Sequence, residues 1–193
     1  MTIFSTDGGS HTRIELVSKE HAKQIAIHSL GALVLTDNLW SFMSWRIKRH
    51  THGRYQHVMW LAGGQLYSQE WVLLRRGMSE FLNGNHRVKI ITCTEWPEQR
   101  LKQARRLMDR KMRRPWWERL YDPLGILGQR LRLTWLQLPW LDYCSESVAS
   151  VLNKIDQRFS NSHPSPADLN QVAQCLPDAK QYVYDPELSG DYG

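Results

Sequence analysis

The fold of this chain follows from one stretch near its middle, His57-Val58-Met59-Trp60-Leu61-Ala62-Gly63-Gly64, and from the returning segment Gln65 to Val72. Apolar, β-branched and aromatic residues predict a strand on each side, and the paired glycines predict the tight turn of a β-hairpin between them. Outward from this hairpin, two further apolar segments predict strands over 31–36 and 87–92. The centre of the chain is therefore expected to form a small antiparallel sheet.

Helices are predicted around these strands. Pro97 opens a helix that ends at Pro115, and its apolar side is made of Leu101, Ala104, Leu107, Met108 and Met112. Another begins at Ser165-Pro166-Ala167-Asp168, where the serine is a typical N-cap. A short helix is predicted where Trp40, Met43 and Ile47 share one face. This arrangement indicates an α+β fold with a single domain over 13–176, a flexible N-terminal arm over 1–12 and an extended C-terminal tail over 177–193.

Charge is unevenly distributed along the chain. The net charge is +6, and the surplus of Lys and Arg is concentrated between residues 100 and 132. Such a basic stripe can dock on nucleic acid, on anionic lipid or on an anionic cell-wall polymer, or it can simply be a solvated helix face. Nine tryptophans accompany it, and Trp116, Trp117, Trp135 and Trp140 lie between the basic helix and Cys144.

Several classes of protein are disfavoured by the sequence. The three cysteines, Cys93, Cys144 and Cys175, are too few and too widely spaced for a disulfide framework or a zinc knuckle. The pattern predicts no metal and no cofactor, and Gly125-Ile126-Leu127-Gly128 lacks the Lys-Ser/Thr of a phosphate-binding loop. No apolar run approaches the ~20 residues of a membrane span. No secretory signal is visible at the N-terminus, so we expect synthesis in the cytoplasm.

Cys144 is the candidate nucleophile. It precedes an apolar stripe of helical spacing at Val148, Val151, Leu152 and Ile155, which places the thiol in the first turn of a helix. The positive end of a helix dipole favours a thiolate, the reactive form of a cysteine. The alternative is that Cys144 is a small buried hydrophobe. Cys93, at a strand end, is expected to be a packing residue.

A cysteine hydrolase also needs a base and a polar group that orients the base. His57 is the best of the candidate histidines, because it begins a strand beside a glycine turn and is held by a rigid element. Gln69, on the returning strand, is the predicted orienting group, since an amide can accept a hydrogen bond from an imidazole N–H. Glu70 is the reserve, because a one-residue bulge near Gly64 would exchange the two side chains.

Cys144 and His57 belong to a series of five short motifs along the chain. The motifs are the strand 31–36, the segment Tyr55-Gln56-His57-Val58 with Gly63-Gly64, the segment Tyr121-Asp122-Pro123-Leu124-Gly125-Ile126-Leu127-Gly128, Tyr143-Cys144-Ser145-Glu146 with Val148-Ala149, and Ser165-Pro166-Ala167-Asp168-Leu169. Together they resemble the permuted NlpC-type papain-like cysteine hydrolases, the YiiX-like group, in which the histidine precedes the cysteine. The resemblance covers about residues 30 to 172.

The resemblance implies a circularly permuted papain-like fold, in which a small antiparallel sheet or partial barrel packs against helices that include the nucleophile helix. It also implies a triad of Cys144, His57 and Gln69, and Gln69 departs from the Glu or His that the family often has. Tyr55, Tyr121, Trp140 and Tyr143 are candidates for the substrate groove.

The expected activity is that of a cysteine amidase or peptidase on peptidoglycan peptides. Peptidoglycan or another anionic wall polymer is then the partner, nucleic acid is disfavoured, and a phage particle or a secretion machine would deliver the protein. Two alternatives stay open. One is a catalytically inactive module that binds protein partners in a larger viral or secretion assembly. The other is a lipid acyl hydrolase or acyltransferase, with residues 115–141 as an acyl groove.

Overall fold

The computed structural model describes residues 2–4, 13–38, 54–120, 144–160 and 164–189. Their strands are β1 (Thr2–Phe4), β2 (Arg13–Leu16), β3 (Ala32–Asn38), β4 (His57–Ala62), β5 (Gln65–Gln69), β6 (Leu73–Gly77), β7 (His86–Cys93) and β8 (Ala179–Tyr184). Their α-helices are α1 (Lys19–His28), α2 (Glu98–Met112), α3 (Cys144–Ile155), α4 (Pro166–Gln174) and α5 (Pro186–Ser189).

All eight strands join one mixed sheet in the order β1-β2-β8-β7-β3-β4-β5-β6. Every neighbouring pair is antiparallel except β2 with β8, which are parallel. The α+β class is therefore confirmed. The expected C-terminal tail over 177–193 is wrong for its first part, because Ala179–Tyr184 lie between β2 and β7 in the sheet. The expected N-terminal arm is also wrong in part, since Thr2–Phe4 form an edge strand, while 5–12 lie outside the described residues.

Alternation along the strands sorts the side chains onto two faces of the sheet. Val58, Trp60 and Ala62 belong to one cluster, which also receives the apolar residues of α2, α3 and α4. Met59 and Leu61 belong to the second cluster, which is covered by α1. We call these the α3 face and the α1 face, and this distinction decides which candidate site residues can meet.

The turn between β4 and β5 has the conformation that the glycines permit. Gly63 and Gly64 both have positive φ, at 57° and 78°, a region that residues with a Cβ rarely adopt. The turn contains only these two residues, so Ala62 pairs directly with Gln65. The predicted hairpin is thus confirmed, and its register follows from the length of the turn.

The helix starts follow their local signals. Pro97 is the N-cap residue of α2, and Leu101, Ala104 and Met108 are buried. Ser165 caps α4 by accepting a hydrogen bond from the backbone N–H of Asp168, whose carboxylate bonds back to Ser165. Helix α3 spans Cys144–Ile155, so the prediction that Cys144 lies in a helix is confirmed, while the predicted N-cap Asp142 lies outside the described residues. The short helix expected around Trp40 lies outside the described residues.

Trp60 is the residue whose truncation is expected to destabilise the fold most. Its side chain is fully buried on the α3 face, with its ring 6.1 Å from that of Trp96. Gly31 gives it room, since a Cβ there would lie 2.7 Å from the indole. We expect Trp60→Ala to lower the free energy of unfolding by about 3–5 kcal/mol. Urea unfolding measures this, and Trp71→Ala is the control, because Trp71 is 84% exposed and should change stability by less than about 0.5 kcal/mol.

Candidate active site

Cys144 is the first residue of α3 and packs on the α3 face of the sheet. Its side chain is 6% exposed and lies in the same cluster as Val58 and Val148. Burial raises the pKa of the thiol to about 11, although the backbone N–H groups of Val58 and Ser145 lie at the sulfur and favour the thiolate. Desolvation of the thiolate therefore outweighs the favourable effect of the helix dipole, and Cys144 is a neutral thiol in the resting protein.

His57 is the first residue of β4 and is partly buried. Its Nε2 lies 2.9 Å from the hydroxyl of Ser68, which lies on β5. Burial lowers the pKa of His57 to about 4, and this effect exceeds the opposing attraction of the Glu70 carboxylate. The imidazole is therefore neutral at pH 7, but the same burial disfavours the imidazolium that forms when it accepts a proton.

The polar group linked to His57 is not the predicted one. The Ser68 hydroxyl donates to Glu70 Oε1 at 3.2 Å, so the link runs from the imidazole through Ser68 to Glu70. Gln69 instead donates from Nε2 to the backbone carbonyl of Arg119 at 2.9 Å. The expectation that Gln69 orients His57 is contradicted by this geometry, and the reserve residue Glu70 occupies the place expected of it.

The physical reason is the register of the hairpin. The two-residue turn pairs Met59 with Ser68 without a bulge. Continuing that register by two residues brings Glu70 opposite His57, and Gln69 opposite Val58 on the α3 face. The length of the Gly63-Gly64 turn was the signal in the sequence that could have identified both Ser68 and Glu70.

Glu70 is held as a carboxylate by Arg76, a residue that the sequence reasoning missed. Arg76 donates from Nε to Oε1 at 3.1 Å and from a terminal nitrogen to Oε2 at 2.9 Å. These bonds are the main reason that the pKa of Glu70 lies below its usual value. Arg76 lies on β6, a strand that the sequence did not reveal, so the network His57–Ser68–Glu70–Arg76 could not be assembled from motifs.

The structure brings Cys144 next to β4 but does not join it to the imidazole. The thiol meets the backbone N–H of Val58, the residue after His57, from the α3 face. His57 alternates with Val58 and so lies on the other side, with Met59. Among the described residues, no hydrogen bond connects the Cys144 sulfur with the His57 ring.

Of the predicted groove residues, only Tyr55 lies in the described part of the chain. It is buried in the same cluster as Cys144, and its ring centroid is 5.9 Å from the Lys89 ammonium nitrogen. Burial raises the pKa of Tyr55 to about 12. Tyr121, Trp140 and Tyr143 lie outside the described residues, so their part in a groove stays a prediction.

The burial of His57 predicts a dependence of stability on pH. Its pKa is about 4 in the folded chain, against 6.5 for an unperturbed histidine, so the unfolded chain binds the extra proton first as the pH falls. The free energy of unfolding should decrease from pH 6.5 to pH 4, by up to about 3 kcal/mol. Urea titrations at several pH values measure this slope. It should be shallower in His57→Gln, and equal slopes in the two proteins would contradict the prediction.

The described residues include no group of three or more His, Cys, Asp or Glu side chains suited to hold a metal ion. Among the described helices, none is both long enough and apolar enough to cross a membrane.

Similarity to known proteins does not assign the site. No protein-family model matches the chain, and no curated protein matches it. The likeness to permuted papain-like hydrolases stays an expectation based on the motifs, and the function has to be argued from the residues themselves.

Proposed function

We propose that this protein is a cysteine hydrolase of the permuted NlpC type, which cleaves amide bonds in peptidoglycan peptides. One observation carries the proposal: the Cys144 thiol lies at a helix start, against the backbone N–H of the residue that follows His57. The thiol and the imidazole thus belong to adjoining elements, although they lie on opposite faces of the sheet. The Glu70 carboxylate, which the resting imidazole reaches through Ser68, supplies a negative charge that favours the imidazolium.

The proposed reaction is acyl transfer through a thioester. His57 takes the proton of the Cys144 thiol as the sulfur attacks the amide carbonyl, and the S–C bond forms. The oxyanion is held by backbone N–H groups beside the sulfur, such as that of Ser145. The imidazolium then protonates the leaving amine as the C–N bond breaks. Water, deprotonated by His57, attacks the thioester and restores the thiol.

The proposal requires His57 to turn toward the α3 face when substrate binds. His57 is the residue best placed for this in β4, because the ladder with β5 ends at Met59 and Ser68, and the ladder with β3 ends at His57 itself. A residue at a strand end is restrained by fewer backbone hydrogen bonds than one inside the ladder. The Cys144 thiol and the His57 imidazole are both neutral at rest. The proton therefore moves from sulfur to nitrogen as the sulfur attacks the carbonyl, and not before.

A second candidate function has its own support. Cys144 is 6% exposed and forms no hydrogen bond with His57 among the described residues. A buried neutral thiol is typical of a packing residue. This arrangement favours a binding module of the same fold, which would act as a component of a larger assembly without catalysis.

Labelling with a thiol-reactive probe separates the two functions. Cys93 is a matched control because it is 7% exposed and burial also raises its pKa. The exposed Cys175 is first replaced by serine. We expect Cys144 to react faster than Cys93 near neutral pH, and His57→Ala to remove the difference. Equal rates in the parent protein would contradict the hydrolase and support the binding module.

The substrate is tested by a paired assay. Purified peptidoglycan and phospholipid vesicles are each incubated with the protein, and released peptides and released fatty acids are measured. Release of peptides alone supports the proposed amidase. Release of fatty acids alone would replace it by a lipid acyl hydrolase that uses the same thiol.

A further inference from the structure

Three tryptophans are exposed on two segments that lie side by side. Trp71 is 84% exposed, Trp116 is 60% exposed and Trp117 is 56% exposed. An isolated β-bridge joins Val72 to Leu120, so the turn after β5 runs beside the segment that follows α2. The bond from Gln69 to the Arg119 carbonyl reinforces this contact. The exposed indoles therefore share one edge of the molecule.

Four arginines extend this edge along the C-terminal half of α2 and the turn after it. They are Arg106, Arg110, Arg113 and Arg114, and all four are exposed. The first three follow i, i+4, i+7 spacing, so they lie along one outer side of the helix. Other charges nearby are matched, as in the ion pair of Arg75 with Asp109. Within the described part of the chain, no ion pair joins any of the four arginines to a carboxylate.

A shallow recess with a cavity volume of only about 10 Å³ opens beside these residues. Its lining includes Lys111, Arg114 and Arg119, together with Leu73 and one carboxylate, that of Glu118. The Nε of Arg119 is buried and has no hydrogen-bond partner among the residues that the structure describes. This recess combines positive charge with an unused donor, which is the chemistry that recognises a phosphate group.

We infer that this edge, which we call the Trp–Arg surface, docks the protein on an anionic phospholipid bilayer. Indole rings partition to the level of the lipid headgroups, and basic residues near the bilayer are attracted to anionic lipids. The phosphates of the headgroups would bind at the exposed guanidinium groups of the four arginines. The inference concerns where the protein acts, and it does not depend on whether Cys144 is a nucleophile.

The geometry of the tryptophans argues against nucleic acid as the occupant. The rings of Trp116 and Trp117 are 6.0 Å apart with an interplanar angle of 81°. Bases bind to single-strand platforms by stacking in series on aromatic rings. Two rings set edge to face cannot serve as such a platform, whereas their orientation does not matter for insertion among headgroups.

Co-sedimentation with vesicles tests the inference. We expect the full chain to bind vesicles rich in phosphatidylglycerol, to bind vesicles of phosphatidylcholine much more weakly, and to lose binding as salt is raised. Arg110→Gln with Arg113→Gln should weaken binding roughly thirtyfold. Trp116→Ser with Trp117→Ser should weaken it roughly tenfold or more. Cys144→Ala should bind like the parent protein.

Matched controls lie on the other side of the sheet. Helix α1 packs on the α1 face and carries the exposed Ile27, and Leu30 is exposed just after the helix. Ile27→Ser with Leu30→Ser, and Lys19→Gln with Lys23→Gln, should leave vesicle binding unchanged. Equal binding to the two kinds of vesicle would overturn the inference. Unaltered vesicle binding by the double arginine and double tryptophan variants would also overturn it. If those variants lost binding to peptidoglycan instead, the surface would be a binding site for the wall polymer.

Discussion

Cys144→Ala is expected to lower the rate of peptide release from peptidoglycan by about four orders of magnitude or more. Removal of a nucleophile eliminates the thioester route, and only binding and backbone N–H contacts remain to assist direct attack by water. The rate is measured with purified stem peptides under single-turnover conditions, so that slow product release does not hide the chemical step.

The control for this variant is Cys93→Ala. Cys93 is buried to the same degree as Cys144, but it lies at the end of β7, and its sulfur contacts the carbonyl of Pro177 at 3.6 Å. We expect this replacement to leave the rate within about threefold of the parent protein, with a moderate loss of stability. If both variants kept full activity, the nucleophile would lie elsewhere and the proposed function would fall.

His57→Ala is expected to lower the same rate by about two to four orders of magnitude, because it removes the only proposed base.

A comparison of Glu70 with Gln69 tests which of the two side chains acts on the imidazole of His57. Glu70→Gln should lower the rate about tenfold, since the charge that steadies the imidazole through Ser68 is lost. Gln69→Ala should have the smaller effect, because its amide bonds to the Arg119 carbonyl and not to His57.

The pH profile of the rate distinguishes a role in catalysis from a role in stability. Loss of the Glu70 charge should move the acidic limb of the profile to lower pH, because an imidazolium without that carboxylate is less stable. A variant that only unfolds more easily would lose amplitude and keep the position of the limb. If Gln69→Ala were the more damaging change, the orienting group would be the amide that the sequence first indicated.

The hairpin shows what can be predicted from the sequence and what cannot. The apolar run after His57 and the paired glycines predicted β4, the turn and β5, and the pattern from Val148 onward predicted that Cys144 lies in the first turn of a helix. These are local signals, since each depends on residues only a few positions apart. The choice between Gln69 and Glu70 depends on which residues face each other across the turn, and a change of one residue in that register reverses the answer.

The missed strands have a different cause. Strand β6 contains Arg75 and Arg76, and β8 contains Lys180 and Gln181, so neither has a continuous apolar pattern. Their place in the sheet is fixed by partners distant in sequence, as in the pairing of Ile14 with Gln181. Because β6 was not predicted, Arg76 could not be connected with Glu70. The network His57–Ser68–Glu70–Arg76 could therefore not be predicted from the sequence.

The position of β8 has a consequence for how the protein is made. This strand is the only link in the described sheet between the β1–β2 pair and β7, yet it lies after every other strand in the chain. During synthesis, the exposed edges of β2 and β7 must wait for it, and an unpaired edge is prone to association with other chains. The complete sheet can therefore form only after residues 179–184 have been synthesised.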